Sequence, residues 1–185
     1  MLIGLCGAAG AGKDSVAEIL VREHNFTRYA FADRMREALY RLNPRVADPM
    51  LNMYWQLRPL VDIKGWDYAK REFPEVRKLL QTFGTEVGRE MFGEDFWVNQ
   101  VAWQYEALME STFGDANVVI PDVRFPNEAD WITDEEGYVL RVERPGVGPV
   151  NGHSSEALDF EVDGTIKNAG TLEDLRGAVA EWVRF

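Results

Sequence analysis

Hydrophobic and polar positions along the chain repeat with two different periods. Met1 to Cys6 is a run of apolar or small residues that leads straight into a glycine-rich turn, as a strand buried on both faces of a parallel sheet does. From about Lys13 the period becomes helical, with Val16, Ala17, Ile19 and Leu20 on one side. Phe26 to Ala32 alternates as a second strand. Val118 to Ile120, closed by Pro121, reads as a third, Tyr138 to Glu143 as a fourth and Phe160 to Ile166 as a fifth. A closing helix runs from about Thr171, whose hydroxyl can cap its N-terminus, to Val183. Strands alternating with helices predict an α/β fold with a mainly parallel five-stranded sheet flanked by helices.

Between the second and third strands lies an excursion over residues 33–114, too long for one crossover helix. Asn43 to Gly65 carries three prolines and the Met50 to Trp55 cluster, and reads as an irregular insert. Pro74 to Phe92 is regular: Val76, Leu80, Phe83, Val87 and Met91 form one apolar helical stripe. Gln81, Gly84, Thr85, Gly88 and Arg89 fall on a different face. A glycine inside a helix costs about 1 kcal/mol relative to alanine, so two on one face imply a close approach. The approaching group is either another helix or a ligand, and Arg89 beside them tilts the reading toward an anion.

Composition narrows the class. The 185 residues carry 20 Lys plus Arg against 31 Asp plus Glu, a net charge of −11, which argues against a protein whose partner is a nucleic-acid backbone. The imbalance is uneven: residues 28–78 have a net charge of +4, residues 126–185 one of −8. That distribution suits small phosphorylated substrates gathered by the insert and by the glycine-rich turn. Hydrophobic content of 46% supports one buried core, and hence a single domain over residues 1–185. Cys6 is the sole cysteine, which excludes an internal disulfide and fits a reducing, cytoplasmic setting. No apolar run reaches the length of a membrane span, and no signal peptide is legible.

The chemistry is concentrated at Gly7-Ala8-Ala9-Gly10-Ala11-Gly12-Lys13, which matches the phosphate-loop pattern G-x-x-x-x-G-K between a strand and a helix. Such a loop turns backbone N–H groups inward as an anion nest, and the positive end of the following helix favours phosphate. Lys13 would reach the β and γ phosphates. Asp14 stands where the pattern calls for Ser or Thr, and Ser15 follows. A carboxylate beside a triphosphate needs a cation between them, so Asp14 is expected to contact a magnesium-bound water and Ser15 a phosphate oxygen; the alternative for Asp14 is stabilisation of the helix N-terminus. Asp122 and Arg124 follow the third strand, on the crevice side of a doubly wound sheet. Asp122 would hold magnesium through water or brace an arginine. The planar fork of Arg124 suits two phosphate oxygens, and the alternative is an ion pair between the two residues.

With these residues in place the chain resembles a deoxynucleoside monophosphate kinase of the bacteriophage type, within the P-loop nucleoside monophosphate kinase group. The likeness runs through Gly7 to Ser15, Phe31-Ala32-Asp33, Leu80 to Arg89, Asp95-Phe96-Trp97-Val98, Asp122 to Glu128 and His153-Ser154-Ser155-Glu156. It implies a P-loop kinase fold with a helical acceptor-binding insert at residues 33–114 and a small lid at 144–157. The implied reaction moves the γ-phosphoryl of ATP, with Mg2+, to the 5′-phosphate of a deoxynucleotide, for DNA precursor supply. Arg36 is the first implied residue for the acceptor phosphate, Arg89 the second and Arg124 the third, with Asp33 in the acceptor site beside Arg36. Gln81, Thr85 and Trp97 would line the acceptor site, with core packing the alternative for Trp97. Arg144 is the expected lid arginine, while Arg141 would finish the fourth strand and His153 would orient the lid or lie solvated. Asn168, in Lys167-Asn168-Ala169-Gly170, would contact adenine or mark a turn.

Other classes stay open at this level. A dephospho-coenzyme A kinase shares the phosphate loop and the late Asn-Ala-Gly segment. A non-catalytic nucleotide-binding module is a second option, although the Asn-Lys-x-Asp motif of GTPases is absent. An interaction protein is a third: the Met50 to Trp55 cluster would suit contact with a second copy in a homodimer.

Overall fold

The protein is described here by a computed structural model covering residues 1–148 and 158–184. β1 (Leu2–Cys6), buried at all five positions, feeds the glycine-rich turn and α1 (Lys13–His24). β2 (Phe26–Arg28) and α2 (Phe31–Leu42) follow, then a hairpin of β3 (Arg45–Ala47) and β4 (Tyr54–Gln56). α3 (Leu57–Glu72) bends at Gly65; α4 (Pro74–Thr82) runs on into a π-helical stretch, Phe83–Met91. α5 (Phe96–Ser111), β5 (Asn117–Ile120), α6 (Pro126–Asp134), β6 (Tyr138–Glu143), β7 (Gly164–Lys167) and α7 (Leu172–Trp182) complete the described elements. Residues Met1–Phe31 and Val98–Phe185 form one compact unit, and Ala32–Trp97 forms a second.

The first unit is built on a five-stranded sheet of order β2-β5-β1-β6-β7 in which every pairing is parallel. β1 lies in the middle, with Leu2 against Val118 on one side and Cys6 against Arg141 on the other. The connections diverge to either side of β1, so a crevice opens beyond its C-terminal end. Leu5, Val16, Leu20, Val119, Leu140 and Leu175 pack between the sheet and the α1 and α7 helices. The Thr171 hydroxyl accepts the Asp174 N–H at 3.2 Å while Asp174 accepts from Thr171 N–H, a reciprocal cap that fixes the start of α7.

Two strand expectations change. The second strand stops at Arg28, with one further ladder bond from Tyr29 N–H to Val119 O, and Phe31 already begins α2. The Asp122 carboxylate accepts the Phe31 N–H at 3.0 Å, so a partner 91 residues away starts this helix. The fifth strand begins at Gly164, not Phe160.

The second unit has its own core of Leu39, Val46, Leu57, Leu60, Phe73 and Val76. Asn43 to Gly65 is more regular than its prolines suggested. Asp48 organises the β3–β4 turn by accepting from the backbone N–H groups of Met50 and Leu51 and from the Trp55 indole, and these bonds hold its carboxyl below the usual range. The helix expected over Pro74 to Phe92 is continuous, but its second half widens to π geometry, so the apolar stripe drifts. Val76 and Leu80 are buried while Met91 is 71% exposed. Among the described residues no helix is long and apolar enough to cross a membrane.

Candidate functional site

The turn after β1 has the shape its glycines require. Gly7 adopts φ 135° and Gly12 φ 105°, a region L-residues rarely enter. A Cβ on Gly7 would collide with the Val142 carbonyl oxygen, and one on Gly12 with the Asn168 amide. The loop is therefore packed against β6 on one side and against the segment after β7 on the other. The Lys13 ammonium donates to Gly7 O at 2.7 Å and Ala8 O at 3.0 Å, which holds it over the loop.

Lys13 faces a cavity of about 440 Å³ that Arg124, Arg141, Arg144 and Lys167 also line. Five cations converge there in a protein of net charge −11. Burial, reinforced by Arg124, pulls the Lys13 pKa below its ordinary value. A bound polyanion offsets both effects with opposite charge beside the ammonium. Binding is therefore coupled to proton uptake at alkaline pH: affinity for inorganic tripolyphosphate should fall as pH rises through the lowered Lys13 pKa, whereas a Lys13→Arg variant should show a flatter profile over the same range. Titration calorimetry at several alkaline pH values checks it.

Arg141, expected only to finish the fourth strand, lines the same cavity as Lys13. It pairs with Cys6 across β1 and β6 and approaches the Cys6 thiol, whose pKa burial pushes up and Arg141 draws back down. Its Nε is buried with no hydrogen-bond partner among the described residues, while the side chain lines the cavity. The signal was available: Arg141 lies level with the last residue of β1, where side chains of a parallel sheet meet ligand. Arg144 is exposed at the cavity mouth. Most of the expected lid, including His153, lies outside the described residues.

Asn168, expected to contact adenine or mark a turn, bonds to the phosphate loop. Its Nδ2 donates to Ala11 O at 2.9 Å, inside the phosphate loop, and its own N–H donates to Glu143 O at 2.7 Å. Its neighbours Lys167 and Ala169 line the cavity instead. Asp14 and Ser15 are exposed in the first turn of α1. The turn after Asp122 is shaped by the buried Glu128 carboxylate, which accepts the N–H groups of Arg124 at 2.7 Å and Phe125 at 3.1 Å.

The candidate acceptor residues other than Arg124 lie in the second unit. Arg36 donates to Asp33 at 3.3 Å, its side chain is 28% exposed, and its Nε is buried with no hydrogen-bond partner among the described residues. Arg89 and Thr85 are half-buried on the π-helical stretch, and Gln81 is exposed one turn earlier. The paired glycines serve packing. Gly88 lies against the Trp97 indole and Gly84 against the Met35 sulfur, with no room for a Cβ at either. Trp97 is 7% exposed, donates Nε1–H to Gly84 O at 2.8 Å and contacts the rings of Phe83 and Phe96. The packing role of Trp97 is thus the one the geometry favours over base stacking. Trp97→Ala should destabilise the protein by about 3–5 kcal/mol; a denaturant titration reads this directly, and a change in nucleotide affinity at unchanged stability would contradict it.

A parallel sheet with its phosphate loop at the crevice end of the central strand, a lysine on that loop and arginines around one cavity define a P-loop nucleotide-binding protein. Comparison with known proteins carries this further. Residues 59–179 match the family described as deoxynucleotide monophosphate kinase, a stretch that does not include the phosphate loop. A protein of Acanthamoeba polyphaga mimivirus carrying the same description is 30% identical over 164 residues, covering 84% of this chain and 80% of that protein. The deoxynucleotide monophosphate kinase of Enterobacteria phage T4 is 33% identical over 102 residues, which span 54% of this chain and 42% of the phage protein. Among solved structures, a dephospho-CoA kinase from Campylobacter jejuni superposes with TM-score 0.49 at 15% identity over 99% of this chain and 95% of its own, a likeness too loose to bear on the acceptor. The chain belongs to the deoxynucleotide monophosphate kinase family and is a phosphotransferase.

Proposed function

We propose that the protein transfers the γ-phosphoryl group of ATP to the 5′-phosphate of a deoxynucleoside monophosphate, giving the diphosphate and ADP. The family supplies the acceptor class. The observation that carries the donor half is the Lys13 ammonium held against the Gly7 and Ala8 carbonyls at a cavity that Arg124, Arg141 and Arg144 also line. A phosphate monoester oxygen is already an anion at neutral pH, so no strong general base is needed; catalysis is positioning and neutralisation of charge. Lys13 and the loop N–H groups bind the β and γ phosphates, Arg124 and Arg141 neutralise charge on the transferring group, and Arg144 closes the donor side against water.

Asp14 and Asp122 are the carboxylates that would share a magnesium ion with the substrate phosphates. Asp14 stands one residue after Lys13, and Asp122 is held at the end of β5 by its bond to Phe31. One or two carboxylates beside substrate phosphates are the usual protein share of a magnesium site. When bound, the ion would screen the β and γ oxygens from each other. Asp14 and Asp122 would hold it through water.

Arg36 and Arg89 bind the acceptor phosphate, with Asp33 orienting Arg36 and with Gln81 and Thr85 lining the acceptor pocket. The unsatisfied Arg36 Nε supports this role, since a buried guanidinium N–H without a partner is well suited to a phosphate oxygen. Arg36→Ala should raise KM for the monophosphate by about 10- to 100-fold, the worth of a charged hydrogen bond, and leave KM for ATP nearly unchanged. Equal effects on both substrates, measured by steady-state kinetics with chromatographic detection of the diphosphate, would remove Arg36 from the acceptor site. A contact between copies would fall at the β3–β4 tip, where Met50 and Leu51 are exposed.

A further inference from the structure

From outside the loop and α1, the Asn168 side chain reaches into the phosphate loop: its Nδ2 donates to Ala11 O at 2.9 Å. Its backbone N–H is fixed to Glu143 O at the end of β6, so the side chain projects from a point tied to the sheet. The same amide occupies the space that a Cβ on Gly12 would need. Gly12 precedes Lys13, and its φ of 105° decides where the loop turns into α1. A loop of glycines and alanines has no side chains of its own with which to fix that turn.

We propose that Asn168 is a positioning residue that holds the phosphate loop in its anion-binding shape by clamping the Ala11–Gly12 peptide from the end of β7. It acts on the polyphosphate through the loop, and base recognition does not run through its side chain. The donor is the amide NH2, since the partner is a carbonyl oxygen. An aspartate of the same shape would set a carboxylate against the Ala11 carbonyl and lose the bond.

This rests on the kinase reading, and the test separates the two. Affinities of the intact protein for ATP and for inorganic tripolyphosphate, which has no base, are measured alongside turnover for the native chain, Asn168→Ala and Asn168→Asp. Both variants should weaken ATP and tripolyphosphate by the same factor, about tenfold, with Asn168→Asp at least as impaired as Asn168→Ala. KM for ATP should rise accordingly, with KM for the monophosphate unchanged. Loss of ATP affinity with tripolyphosphate binding intact would make Asn168 a base contact and overturn the proposal. So would native affinity in both variants, or a lowered melting temperature with native affinity in the folded protein. Should Asn168→Ala fail to fold, the isosteric Asn168→Asp decides alone. A native chain that binds tripolyphosphate but phosphorylates no nucleotide would contradict the kinase reading and leave the clamp standing.

Discussion

Lys13→Ala should lower turnover by about 10²- to 10³-fold, the usual effect of removing one preorganised donor to developing charge, with the fold intact. The ammonium is not part of the core. Its contacts are two loop carbonyls, and its burial disfavours the charge it carries. Removing it relieves desolvation and repulsion from Arg124 while losing two hydrogen bonds, so the net change in stability is small. Circular dichroism and thermal melting should be close to native. Lys13→Arg should recover little, because a planar guanidinium does not reproduce a point charge on a loop shaped around an ammonium. Near-native turnover of Lys13→Ala would move the donor site elsewhere.

Gly7→Ala should damage both binding and stability. The residue has φ 135°, and the atom its new Cβ meets is the carbonyl oxygen of Val142, which belongs to β6 and cannot rotate away. Backbone strain of this kind costs about 1–3 kcal/mol, or roughly 2–4 °C of melting temperature per kcal/mol in a chain of this length. Relief can come only from shifting the loop, and with it the N–H groups proposed to bind phosphate. ATP affinity should therefore fall more than stability does. Gly114→Ala, at a residue that also has positive φ but no described atom within reach of a Cβ, controls for backbone strain alone.

The donor site was largely legible in the sequence because it is local. Gly7 to Lys13 specify a loop by backbone freedom, β1 supplies the apolar run before it, and α1 the helical period after it. β6 and the Thr171 cap were legible for the same reason, as each is set by neighbouring residues. The misreadings involve distant partners. Nothing near Phe31 signals that a helix begins there, since the accepting carboxylate is Asp122. Three-residue strands such as β3 and β4 are too short for a period to emerge, and the hairpin is fixed by the Asp48 side chain. Gly84 and Gly88 gave a true signal of close approach, but the approaching groups are Met35 and Trp97, 49 and 9 residues away. Asn168 and Arg141 show the same limit: their places in the chain marked them as near a crevice, and only the fold says which atoms they meet.

The reaction proposed for the protein moves the γ-phosphoryl group of ATP to a deoxynucleoside monophosphate. The direct measurement is a label-transfer assay with ATP carrying radioactive phosphorus at the γ position, Mg2+, each of the common deoxynucleoside monophosphates in turn, and dephospho-coenzyme A as a competing acceptor. Label is expected in the β position of at least one deoxynucleoside diphosphate and not in coenzyme A, and Lys13→Ala is expected to lose transfer. Label appearing only as inorganic phosphate, or on dephospho-coenzyme A, would contradict it.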